Sequence, residues 1–501
     1  MTGARRRWAA LAVLSGSVLL VVMDMTVLNV ALPAISRDLR PDSVQLLWIV
    51  DVYSLVLAGL LVTASALGDR WGRRRALLTG FALFGLASLA ALAADAPGSL
   101  IAVRAALGVG GAFIMPSTLS MIRTLFTDPA ERARALGVWS AMAAAGAALG
   151  PILAGVLLER FSWHAAFLVN VPVMAAALGA GLFLLPESRN QNPGRWDAVA
   201  TVLSMAGMAS LLYAVKNAGK HGLTDPVTLA AAGVAAVALC WFAVRCLRRP
   251  DPLLELRLLR GGPFSAGVVT ALTTSIAMAA VLLLLGQWMQ LVQGYSPMET
   301  GVRLLPAALA ALVASPLAPA LAARVGARAV LSGGVALTGL ALLLPFLAPV
   351  LSVGPLGYGP VAAALVLIGA GNGALAIASA VIMAGTPAAT AGSAAALEET
   401  SYEVGGALGV AVLGSLAAAG YRAALDYRGP SAAAVSDSLG GALGVAGELG
   451  AAGARLAEAA RQAFADSLAL TFGAGAALML AAAAVVWLLT PRGLDLSASH
   501  H

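Results

Sequence analysis

Gly68-Asp69-Arg70-Trp71-Gly72-Arg73-Arg74-Arg75 stands between two long apolar runs, and its reading decides how the chain must lie. An aspartate and a cluster of arginines cannot rest in hydrocarbon, so the stretch is a tight polar loop on one face of a membrane. Short loops rich in Arg stay on the cytoplasmic side. The clasp therefore orients the helices that flank it, and through them the whole chain.

The composition agrees with a chain that lives in lipid. Of 501 residues, 60% are hydrophobic and 11% charged, against about a quarter charged in soluble domains. The formal charge of +7 does not point to nucleic acid here, because the basic residues lie between apolar runs, where they set topology. Arg5-Arg6-Arg7 before an apolar run imitates a signal peptide, but the run continues to Leu32 without a cleavage site and reads as a retained first helix. Cys240 and Cys246, six apart on one predicted helix, point in different directions and read as buried small side chains rather than a disulfide or metal site. Arg and Ala are abundant while Lys216 and Lys220 are the only lysines, a bias expected of a GC-rich bacterial genome. The final His500-His501 reads as a tag remnant.

A spanning helix needs about 20 mostly apolar residues. Fourteen stretches qualify, among them 8–32, 44–67, 99–121, 133–158, 198–215, 227–246, 301–322, 394–419 and 467–490. With both termini on the clasp side, twenty Arg and Lys fall on that side and ten on the other. Arg70 to Leu77 is echoed by Arg324 to Leu331, with Arg, Gly and Arg matching at a constant offset of 254 residues. Residues 187–262, with the seventh and eighth helices, read as an insertion between six-helix bundles at 1–186 and 263–501, an all-α 6+2+6 arrangement. The second copy has Ala323 where the first has Asp69, so the clasp is degenerate there. Residues 420–466 are too polar to span and are expected to carry one or two short external helices.

Charges inside the spans are candidates for function because each costs at least a few kcal/mol in hydrocarbon. Asp24, Asp51 and Arg104 fall at similar depth in the outer part of the first six helices, where two carboxylates and a guanidinium can share a proton. The structural alternative is an ion pair between Arg104 and one Asp. Glu398-Glu399-Thr400-Ser401-Tyr402-Glu403 places three acids near the start of the thirteenth helix, Glu399 and Glu403 on one face and Glu398 beside Tyr402. They are expected to titrate as a coupled group, with a solvated helix start as the alternative for Glu398. Gly146, Gly150, Pro151 and Gly155 make a flat, kinkable face on the fifth helix. Trp48, Tyr53, Phe113, Met115, Trp139, Gln287, Trp288, Gln290, Asn372 and Tyr402 are candidates for a broad-specificity cavity, with ordinary packing as the alternative for each. The sequence holds no HExxH, no P-loop and no His cluster, and His164 and His221 read as loop residues.

Several motifs together resemble a known family. The clasp is similar to the Gly-x-x-x-Asp-Arg-x-Gly-Arg-Arg loop of the major facilitator superfamily, with Ser65 in place of the first Gly. Asp24-Met-Thr-Val-Leu-Asn29-Val-Ala-Leu-Pro33, Trp48-Ile-Val-Asp51-Val-Tyr53, the fifth-helix Gly-Pro pattern, Arg104 with Gly108, Gly110 and Gly111, and the Glu-Glu-Thr-Ser-Tyr-Glu segment resemble its fourteen-helix drug:proton antiporter branch. The resemblance implies proton-driven export of lipophilic, often cationic drugs, dyes or antibiotics from a bacterial cell membrane by a monomer with no cofactor. It implies proton or substrate roles for Asp24, Asp51, Glu399 and Glu403, and a cytoplasmic gate at Asp69, Arg70, Gly72, Arg73 and Arg74. The tenth helix lacks the acid that some relatives with dicationic substrates carry. The rival readings are a proton-coupled transporter of one metabolite or self-made antibiotic, a non-transporting membrane receptor, and a membrane enzyme.

Overall fold

A computed structural model of the chain describes residues 3–41, 43–189, 196–351, 356–384, 386–387, 390–429 and 431–494. Arg195 and the His500-His501 pair lie outside these, as do the side chains of Asn29, Pro33, Lys220 and His221. Among the described residues, fourteen helices are long and apolar enough to cross a membrane. We label them α1 (Gly3–Leu39), α2 (Ser43–Trp71), α3 (Arg73–Ala90), α4 (Pro97–Leu125), α5 (Pro129–Arg160), α6 (Ala165–Leu184), α7 (Ala198–His221), α8 (Pro226–Arg248), α9 (Gly262–Val292), α10 (Pro297–Val325), α11 (Ala327–Leu351), α12 (Tyr358–Ala384), α13 (Ala391–Ala424) and α14 (Ala454–Leu489).

Helix starts follow from local chemistry. Asp128, Asp225 and Ser296 each stand before a proline and accept a hydrogen bond from a backbone N–H in the first turn of α5, α8 and α10, satisfying donors that have no partner inside the helix. At α10, Glu299 closes a capping box with Ser296. That acid belongs to the helix end and not to its membrane interior. Leu86, Phe183, Val237 and Leu488 are among the large apolar side chains that face outward, as lipid-facing positions require.

The repeat is visible in the backbone. Gly72 separates α2 from α3 with φ 110°, and Gly326 separates α10 from α11 with φ 89°. Both lie in the left-handed half of the map that only glycine enters cheaply. They are the two glycines of the sequence echo. Their surroundings differ: a Cβ on Gly72 would run into the Glu187 carboxylate, whereas Gly326 faces open space.

Two large apolar cores form. One runs through α1 to α6 and takes in Ala380, Ile382, Met383 and Ala394 to Leu397 of α12 and α13; the other occupies the outer part of α9 to α14. α7 and α8 pack on each other, and α7 also lies against α2 and α13. Asp197 caps α7, accepting from Ala200 N, and pairs with Arg245 at 2.7 Å and Arg249 at 3.1 Å. Burial pushes the Asp197 carboxyl up, but hydrogen bonds from Arg245 and Ala200 and the nearby guanidinium charges outweigh it and hold the group below the usual carboxylate range.

Several boundaries depart from the sequence-based expectation. α14 begins at Ala454 and α13 runs to Ala424, so much of residues 420–466 continues the membrane helices. What remains carries two short helices, Ala432–Asp437 and Leu439–Glu448, held by Tyr421, whose hydroxyl donates to Val435 O at 3.1 Å. Cys246 is buried but Cys240 is exposed, and both are free.

We expect Gly326→Ala to cost about 1 kcal/mol and Gly72→Ala about 2 kcal/mol, because the second also displaces Glu187; thermal unfolding in detergent measures both. The depressed Asp197 carboxyl contributes stability that is fully present above its unfolded pKa and is lost as pH falls through the lower, folded one. Asp197→Asn should therefore melt a few degrees below the native chain near neutral pH, and the two curves should converge in strong acid.

Candidate functional site

Asp24, Arg104 and Asn170 meet inside the first six helices, 3%, 1% and 1% exposed. Arg104 Nη1 donates to Asp24 Oδ2 at 2.6 Å, and Asn170 Nδ2 donates to Asp24 Oδ1 at 3.1 Å. Arg104 also donates to Ile49 O at 3.3 Å and lies 4.5 Å from the Tyr53 ring centroid. Tyr53 in turn donates to Val21 O at 3.3 Å. Both charges are thus satisfied by groups of their own bundle. Such closure compensates a desolvation cost of several kcal/mol per ion.

Asp51 does not join this group, although the sequence places it at the same depth. Lys216 Nζ donates to Asp51 Oδ1 and to Ser54 Oγ, each at 2.7 Å. Depth along a helix was readable from the sequence, but the direction in which Asp51 leaves α2 was not. Lys216 belongs to α7 and not to an external loop, because α7 continues for six residues past the last apolar residue of its predicted span. Its signal was a lysine immediately after the apolar window that ends at Val215.

The acids of α13 have a different setting. Glu398 and Glu399 are each 3% exposed and Glu403 9%. Ser379 donates to Glu398 Oε1, while Glu398 Oε2 is buried without a partner. Among the described residues no cation pairs with Glu398 or Glu399. Both line a central cavity of about 40 Å³ with Val22, Met115, Trp139, Met278, Asn372 and Tyr402. Residues of α1, α4 and α5 thus face residues of α9, α12 and α13 across it. Trp139 Nε1 donates to Thr118 Oγ1 at 3.1 Å, which fixes the indole at the wall.

Of the candidate lining residues, Met115, Trp139, Asn372 and Tyr402 reach this cavity. The others lie elsewhere. Trp288 is fully buried in the outer core of α9 to α14, Gln290 is exposed and Gln287 half-buried beside it. Trp48 is 41% exposed and stacks on Tyr213 of α7 at 6.4 Å. Tyr53 belongs to the Arg104 network, and Phe113 packs towards Gly80 of α3. Sequence reasoning missed Ser140, Ala143, Ala144 and Ala147, which form the α5 wall; alanines are too common here to carry a signal.

The clasp is closed. Arg73 is 4% exposed and grips Asp69 Oδ1 through Nε at 2.9 Å and Nη2 at 2.7 Å. A Cβ on Gly392 of α13 would collide with the Asp69 carboxylate, so α13 touches the latch directly. Two hydrogen bonds join the halves at this end: Ser65 Oγ to Gly392 O at 2.7 Å, and Arg123 to Met383 O. Arg70 lies over the Trp196 ring at 5.7 Å and Arg74 donates to Leu182 O. On α5, Gly146 and Gly150 admit α1, with Cβ positions that Leu19 O and Thr26 Oγ1 would block. Gly155 lies against Met298 of α10, and Pro151 against Gly301. The helix is therefore a flat wall between its own bundle and the other.

A model described as the Major Facilitator Superfamily matches residues 14–410. The multidrug efflux pump LfrA of Mycolicibacterium smegmatis is 42% identical over 491 residues, 96% of each chain. The methyl viologen resistance protein SmvA of Salmonella typhimurium is 35% identical over 488 residues, 96% of this chain and 98% of its own. The tetracenomycin C resistance and export protein of Streptomyces glaucescens is 34% identical, covering 96% of this chain and 91% of its own. The human organic anion transporter MFSD10 shares the fold, with a TM-score of 0.61 over 96% of this chain and 99% of its own at 15% identity.

Arg104→Met strands the Asp24 carboxylate in the bundle and should cost about 3–5 kcal/mol. Replacing both, as Asp24→Asn with Arg104→Met, should recover most of that loss, read by unfolding in detergent.

Proposed function

The chain belongs to the major facilitator superfamily, whose members are transporters and not enzymes, and from that premise we propose that it is a proton-coupled antiporter exporting lipophilic cations. One observation carries the reading. Glu398 and Glu399 lie buried on a central cavity with no cation among the described residues to compensate them, and a carboxylate in that position must take a proton or a positively charged guest. A proton and a cationic drug are then alternative occupants of the same acids. Mutual exclusion of this kind is what antiport requires.

The rest of the lining suits such guests. Trp139 and Tyr402 offer ring faces to a cation, and Met115 and Met278 adapt to different shapes. The cavity as it stands is far smaller than the 300 Å³ or more that a drug-sized ligand needs. Substrate therefore enters only when the halves part. Closure at Asp69, Arg73 and Gly392 bars the inner end, and release of the clasp would open it. One net charge moved inward adds about 2.3 kcal/mol per 100 mV.

Asp24 and Asp51 are not needed as the proton carriers, since Arg104 and Lys216 already neutralise them. The relatives named for multidrug efflux and for methyl viologen resistance support an exporter of toxic compounds from the bacterial cell membrane. No acid lies in the interior of α10, so monocations are the expected substrates and dications weaker ones.

Everted vesicles loaded with ethidium and energised by a pH gradient provide the test. The native chain should move dye against its gradient, a protonophore should abolish this, and Glu399→Gln should lower it at least tenfold. Efflux indifferent to the protonophore, or selective movement of one polar metabolite, would sink the reading.

A further inference from the structure

The inserted helices have no place in the mechanism so far, yet α7 carries a cation to the seam between the halves. Lys216 reaches across to α2 and is held by Asp51 and Ser54, both at 2.7 Å. One turn back along α7, Leu212 packs into a small apolar cluster with Leu55 and Ala58 of α2 and Ala407 of α13. Asp51 and Lys216 lie one turn to the outer side of this plug, and Glu403 one turn to its inner side, since α13 runs outward. Glu403 is nonetheless within electrostatic reach of Lys216. Three helices, one from each half and one from the insertion, thus meet around a single ammonium.

We propose that Lys216 is a positioning residue of the transport cycle: a cation fixed to the first half through Asp51, whose distance to Glu403 on the second half sets how readily that acid holds a proton. The proposal rests on the reading of the chain as a proton antiporter. α7 is bound to α2 by both the ion pair and the apolar plug, so it travels with α2. α13 belongs to the other half, and its approach or withdrawal changes the field that Lys216 exerts on Glu403. Two helical turns, about 11 Å, separate the two groups along the helix axes, and at an effective dielectric near 20 a unit charge at that distance is worth on the order of one pH unit to an acid. That is enough to bias proton capture towards one state and release towards the other.

Other described residues surround the pair. Lys216 faces Asp51 and Ser54 from α2, and its neighbour Asn217 is engaged by Asp225 and Thr228 of α8. Glu403 has Glu399 and Tyr402 on its own helix and Tyr53 from α2 within electrostatic reach. Among the described residues, Lys216 is the cation of α7 that acts on it.

Purified full-length protein binding ethidium provides the measurement, read by dye fluorescence across a pH series. Affinity should fall as the acids take up protons, with a midpoint that reports their protonation. Lys216→Met removes the cation and should move that midpoint to higher pH by about one unit, while Lys216→Arg should leave it near the native value. In a Glu403→Gln background, Lys216→Met should no longer move it. An unchanged midpoint in Lys216→Met, or an equal shift with and without Glu403, overturns the proposal. Should Lys216→Met fail to fold, Asp51→Asn keeps the cation and removes the anion that offsets it, and must move the midpoint to lower pH. Native protein that binds dye identically at all pH values overturns the antiporter reading itself, an outcome distinct from native pH dependence that Lys216 does not alter.

Discussion

Hydrocarbon offers a charge no solvent, and each ionised group within the spans of this chain has to find a partner, a proton or a way out. Asp24 has Arg104 and Asn170, Asp51 has Lys216, and Asp69 has Arg73. Each of these pairs ties specific helices together: α1 to α4 and α6, α2 to α7, and α2 to α3. Among the described residues Glu398 and Glu399 have no such counter-charge, and they lie on a cavity. The division follows from one rule applied twice. Where the protein supplies the counter-charge it builds scaffold, and where it withholds it the site must borrow one from outside.

The same absence of water removes the hydrophobic drive for one helix to bind another, so the halves must meet through shape. Gly146 and Gly150 let the α1 backbone press on α5 where a methyl group would collide, and Gly155 with Gly301 does the same for α10. Contacts made by small residues and backbone oxygens hold by close fit alone. A wall of this kind can slide without leaving a stranded polar group, which would suit α5 to the seam of the proposed transport cycle. The ionic latch at Asp69 and Arg73 lies at the helix ends, where water is near enough to receive the charges when it breaks.

Much of the fold was legible because its signals are local. Apolar length marks the spans, Asp or Ser followed by Pro marks several helix starts, and the echoed Arg and Gly at Arg70 to Arg73 and Arg324 to Ala327 mark the repeat, down to the glycine backbone at Gly72 and Gly326. The site was legible only in part, since a sequence gives depth along a helix more readily than direction around it. Asp51 and Arg104 share a depth but leave their helices towards different neighbours. Trp288 has the composition of a binding-site residue and fills an apolar core instead. Ala143, Ala144 and Ala147 shape the cavity by being small, a property that nothing in an alanine-rich chain sets apart. Lys216 was hidden at the edge of an apolar window, where a helix end and a loop start read alike.

What links gate and acids is that one helix carries both. Gly392, where α13 meets Asp69, precedes Glu398 by six residues, or about 9 Å of helix. Glu403 follows little more than a turn later, at the level where α2 and α7 converge. A tilt or rotation of α13 that frees Gly392 from Asp69 therefore also alters what surrounds Glu398, Glu399 and Glu403, because a helix moves as a rigid rod over so short a distance. The converse holds as well: a proton or cation that changes the charge of those acids changes the energy of every α13 position, including the one that closes the clasp. Coupling between ion occupancy and gate then needs no long pathway through the protein. It needs a rod with two arrangements, close packing that makes intermediate positions costly, and buried acids whose charge favours one arrangement over the other.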